Sequence, residues 1–142
     1  GRFTYALIDL NGDGIDELVT KDVGTDYDDL GRPDYKLAVH TIMDGKLVTP
    51  KAIGFTGVCE NSILMYQNRA GTDYEFFKLN GTEIESIERI WQDPLGLYWT
   101  RFVSGDAVHG ETAFSEETAR AYIDAYKPVT LTMKPFSEYP FG

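Results

Sequence analysis

Tyr74-Glu75-Phe76-Phe77-Lys78-Leu79, then Asn80-Gly81, then Thr82 through Trp91, is the stretch that decides the fold. Asn-Gly between two runs rich in aromatic and β-branched residues is a strong hairpin signal. Two-residue turns that match the twist of paired strands need positive φ, which Asn and Gly tolerate. Two antiparallel strands are therefore expected here. The unit recurs upstream, where Ser62 to Asn68 reads as a strand closed by an Ala70-Gly71-Thr72 turn. Tyr35 to Met43 alternates, Asp44-Gly45 marks a tight turn, and Lys46 to Ile53 returns. Downstream, a Pro94-Leu95-Gly96 turn precedes a short strand over Tyr98 to Val103.

The pattern changes at Ser115. Ser115-Glu116-Glu117 reads as an N-cap followed by acids that suit the positive end of a helix dipole. Ala119, Tyr122, Ile123 and Tyr126 then recur at helical spacing, and Pro128 ends the helix. Val129 to Met133 reads as a last short strand, before a tail that carries Pro135 and Pro140. Hairpins at intervals of roughly 30 residues suit a meander or propeller-blade-like units. A closed propeller needs at least about four blades of four strands, and the strands counted here would make about two. The expectation is one mainly β domain over residues 1–142. It should be an antiparallel meander sheet or small sandwich with one C-terminal helix.

Composition narrows the partners. The chain has 142 residues, 42% of them apolar, enough for a core without disulfide or metal staples. Asp and Glu number 23 against 13 Lys and Arg, a net charge of −10. Such a surface repels phosphate backbones and anionic lipid, so neither nucleic acid nor an acidic membrane is an expected partner. No apolar run reaches the ~20 residues that span a bilayer, so no membrane insertion is expected. Cys59 is alone and reads as a buried thiol. Gly1, just before a strand-like run, reads as the remnant of tag removal, with a natural leader expected upstream.

The amino end carries the clearest chemistry. Phe3 to Asp9 reads as a strand, Glu17 to Thr20 as its return, and Asp9-Leu10-Asn11-Gly12-Asp13-Gly14-Ile15-Asp16-Glu17 lies between. Calcium takes six to eight oxygens at about 2.3–2.6 Å. Alternate loop positions supply oxygens to one side. Asp9, Asn11 and Asp13 stand at positions 1, 3 and 5, Ile15 offers a backbone carbonyl at 7, and Glu17 brings a carboxylate at 9. Gly14 allows the sharp turn and Gly12 relaxes the backbone. These five residues are the expected calcium ligands, with Asp16 pointing outward or binding through water. A helical EF-hand would also need Glu at position 12. Thr20 stands there and the flanks are strands, so the loop is read as carried on a β-hairpin. A plain acidic turn is the alternative. Magnesium demands tighter geometry, and zinc would want His or Cys.

The string Tyr5 through Val19, centred on this loop, resembles the FG-GAP/VCBS-type calcium loops of extracellular proteins. It is similar to the version found in uncharacterised secreted or lipoprotein domains of gut Firmicutes. Phe114 to Pro128 and Pro135 to Tyr139 look like the closing segment of those domains. The resemblance covers residues 3–20 and 114–139 and is vague between. It implies an extracellular or cell-surface location and says little about activity.

Other candidates have plainer readings. His40, His109 and Cys59 could pair in catalysis or be structural. Glu83, Glu85 and Glu88 could serve glycoside hydrolysis or form the charged outer face of a strand. Trp91, Tyr98, Trp99 and Phe102 are read as core, with stacking on sugar rings as the alternative. Asp22, Asp26, Asp28 and Asp29, in an irregular acidic loop, could hold a second cation or be solvated. The expected function is non-enzymatic: structural calcium in a domain that binds a cell-surface glycan or protein. The alternative is an extracellular enzyme or inhibitor.

Overall fold

A computed structural model describes residues 3–12, 14–22, 37–43, 45–50, 55–104 and 111–135. Strands β1 (Phe3–Ile8), β2 (Glu17–Asp22), β3 (Leu37–Met43) and β4 (Lys46–Val48) run as an antiparallel meander. So do β5 (Gly57–Cys59), β6 (Ile63–Gln67), β7 (Asp73–Asn80), β8 (Glu83–Gln92), β9 (Trp99–Val103) and β10 (Glu111–Phe114). Helix α1 (Glu116–Asp124) follows, and two short strands close the sheets: β11 (Pro128–Val129) joins β5, and β12 (Lys134–Pro135) joins β1. The result is a five-stranded and a seven-stranded sheet with one helix among the described residues. The expected class, mainly β and sandwich-like, is what forms.

Residue alternation explains the layers. Leu10 of the β1–β2 loop and Val19, Leu37 and Val39 of the first sheet meet Val58, Leu64, Phe77 and Leu79 of the second. On the opposite face of the second sheet, Cys59, Phe76, Ile90 and Trp99 pack with Ala119 and Ile123 of α1. Strand β7 thus buries both faces, Tyr74 and Phe76 toward the helix and Phe77 and Leu79 toward the first sheet. Ser115 caps α1 by accepting the Thr118 backbone N–H, as its position predicts.

Some expectations are corrected. Glu88 does not lie on a charged outer face. Phe76 pairs with Glu88 but Phe77 pairs with Ser86, so Ile87 is an extra residue in β8. Such a bulge reverses which face later residues address. Glu88 and Ile90 therefore turn inward, and Glu88 is buried. There it meets Arg101 Nε at 2.5 Å and accepts the Tyr126 hydroxyl at 2.6 Å. Burial, then the bond to Glu88, hold that phenol protonated well above its ordinary range. The last strand is also shorter than expected: only Pro128–Val129 pair, and Thr130–Met133 carry the chain from one sheet to the other.

Candidate metal centre

The β1–β2 pairing ends at Ile8↔Glu17, which makes residues 9–16 the hairpin loop. Asp9 organises it. One carboxylate oxygen accepts the Gly12 N–H at 2.9 Å, and the other accepts the Gly14 N–H at 3.0 Å. Gly12 and Gly14 have φ of 76° and 81°, a region that side chains with a Cβ resist, so the two glycines let the chain fold back over Asp9. Leu10 points the other way and is buried in the core between the sheets.

Glu17 stands at the loop's far end and is only 1% exposed. Its carboxylate accepts the Leu10 N–H at 2.6 Å and the Thr41 hydroxyl at 3.3 Å. The loop is thereby tied to β3 as well as to its own hairpin. Asn11 is half-buried, and Ile15 exposes its side chain, as a residue offering only a carbonyl can. Asp13, the expected ligand at position 5, lies outside the described residues. Among the described residues no three His, Cys, Asp or Glu side chains gather in one place. The structure thus brings Asp9 onto Gly12 and Gly14, and it places Glu17 between the loop and the core.

The other candidates are dispersed. His40 lies in β3 between two hydroxyls, with Nε2 at 3.1 Å from Thr20 Oγ1 and Nδ1 at 2.7 Å from Thr49 Oγ1. Cys59 is buried in the second sheet against the helix side, where burial pushes its thiol up, away from the reactive thiolate. His109 lies outside the described residues, as do Asp26, Asp28 and Asp29 of the acidic loop. A cleft of 590 Å³ runs between β1 and Val129–Lys134. It is lined by Leu7, Ile8, Val129, Leu131 and neighbours, and among the described residues none of the candidate catalytic groups lines it.

Burial holds the His40 imidazole below its ordinary value of 6.5. The unfolded chain therefore takes up a proton first as pH falls. His40's contribution is complete above about 6.5 and is lost as pH drops from there toward the folded-state value. Urea midpoints at pH 8 and pH 5 should differ less in His40→Gln than in the wild type; equal differences would show that His40 does not take part.

The aromatic group divides. Trp99 is core, and Trp91 sits half-buried under Arg89, whose guanidinium lies 4.3 Å from the ring centroid and pairs with Asp73 at 3.0 Å. Tyr98 and Phe102 are exposed, which corrects the core reading for both. In the turn just before Tyr98, Leu95 and Leu97 are 79% and 73% exposed. This turn is held firmly: the Asp93 carboxylate accepts the N–H groups of Leu95, Leu97 and Tyr98. The same bonds, led by Tyr98, hold that carboxyl below its usual range. Sequence reading passed over Asp93, although an Asp opening a Pro-Leu-Gly turn is a known turn signal.

No family model matches the chain, and no significant match is found among curated proteins or solved structures.

Proposed function

We propose that this is an extracellular domain that holds one calcium ion in the 9–17 loop and acts by binding rather than catalysis. The observation that carries the reading is the Asp9 carboxylate drawn over Gly12 and Gly14, at the head of a loop with side-chain oxygens at 9, 11, 13 and 17 and a carbonyl alone at 15. The donor set fits the ion. Asp9, Asn11, Asp13, Glu17 and the Ile15 carbonyl are hard oxygens, without sulfur or imidazole, which is calcium's preference. The ion would neutralise the carboxylates of Asp9, Asp13 and Glu17 and fasten the first hairpin. The likeness of the loop to FG-GAP/VCBS-type loops supports the extracellular setting.

The partner in this reading is a cell-surface glycan or protein. What supports it is the rigid turn that presents Leu95, Leu97 and Tyr98, since exposed apolar groups in one place mark contact surfaces. The same firmness favours the second reading, an inhibitor whose loop enters a partner's cleft.

Binding to the folded state alone raises stability by about 2.7 kcal/mol at a hundred times Kd. Thermal melting in millimolar calcium should therefore lie several degrees above melting in chelator. A midpoint unmoved by calcium would count against the ion.

A further inference from the structure

The peptide unit between Asp9 and Leu10 is gripped from both sides. Its carbonyl accepts the Ser62 hydroxyl at 2.8 Å, and its N–H donates to Glu17 at 2.6 Å. A trans peptide is a rigid plane with these two groups pointing oppositely. Bonds at both ends therefore fix the orientation of the plane, and with it the α-carbon from which the Asp9 side chain springs. Ser62 reaches the loop from the other sheet, in the turn between β5 and β6. It does so from a left-handed backbone, φ 62°, next to Asn61 at φ 65°. Asparagine visits that region readily, whereas serine does so rarely. Glycine would make the turn without strain, so the hydroxyl is what serine adds.

We infer that Ser62 is a positioning residue for the calcium loop. With Glu17 it clamps the Asp9–Leu10 peptide, so the affinity of the β1–β2 loop depends on a turn of the opposite sheet. The inference rests on the calcium reading proposed above. A clamp of this kind acts before the ion arrives: it holds the first ligand in place, and less ordering remains to be done on binding.

The test is calcium titration calorimetry on wild type, Ser62→Gly and Asn61→Gly, at a temperature where all three are folded. Under that condition a loss of stability alone does not move Kd. Ser62→Gly removes the hydroxyl while relieving the backbone, so calcium should bind about 3- to 10-fold more weakly, because ordering the Asp9–Leu10 peptide is then left to the binding step. Its melting temperature in chelator should be unchanged or higher. Asn61→Gly relieves the neighbouring backbone and leaves the hydroxyl, so its affinity should equal the wild type's. Equal affinity in wild type and Ser62→Gly would overturn the clamp alone. A wild type that takes up no calcium would overturn the loop reading, and the clamp with it.

Discussion

Arg101→Met is expected to cost about 3–5 kcal/mol of unfolding free energy, because it strands a buried carboxylate. Glu88 is buried between the seven-stranded sheet and α1, with Arg101 and the Tyr126 hydroxyl as its partners. Arg101 also lies 4.1 Å from the Tyr122 ring centroid, so its loss removes packing on the helix. Methionine restores bulk but offers no charge and no donor. Taking out both partners together, Arg101→Met with Glu88→Leu, should recover most of the loss, since no uncompensated charge then remains. Urea midpoints of the single and double variants measure this. A single-variant loss under about 1 kcal/mol, or a double variant worse than the single, would contradict the account of this network.

Glu17→Ala is the second large effect, expected at about 2–4 kcal/mol in chelator, with no metal taking part. It leaves the Leu10 N–H without its carboxylate partner, at a residue that is itself core. It also unfastens Thr41 of β3. Glu17→Gln keeps an acceptor for Leu10 and should lose about half as much. Equal midpoints for wild type and Glu17→Ala would mean that the carboxylate does not anchor the loop. The same variant should also shrink the rise in melting temperature that calcium produces, since Glu17 is one of the expected ligands.

What the sequence discloses here follows range along the chain. Asn80-Gly81 and the runs beside it announce β7 and β8 because turn chemistry and strand alternation are local. The capped helix at Ser115 is local in the same sense. The strands that escape notice are short: Gly57–Cys59, Glu111–Phe114 and Lys134–Pro135 hold three, four and two residues, too few for a period to show. The inward turn of Glu88 hangs on one extra residue in β8, and nothing in the composition of a strand marks a bulge. In the loop, the alternation of oxygens is legible from Asp9 to Glu17. That Glu17 also anchors Leu10 and Thr41 is not, because Thr41 comes from another strand. Ser62 is further still, 53 residues from the carbonyl it holds. Partners at that distance are set by how the two sheets stack.

The loop's capacity for the ion is read most directly by titrating chelator-stripped protein with calcium chloride in a calorimeter. One calcium should bind per chain, magnesium should give little response, and the signal should be lost in Asp9→Ala. A silent titration of the folded wild-type protein would mean that the loop holds no ion.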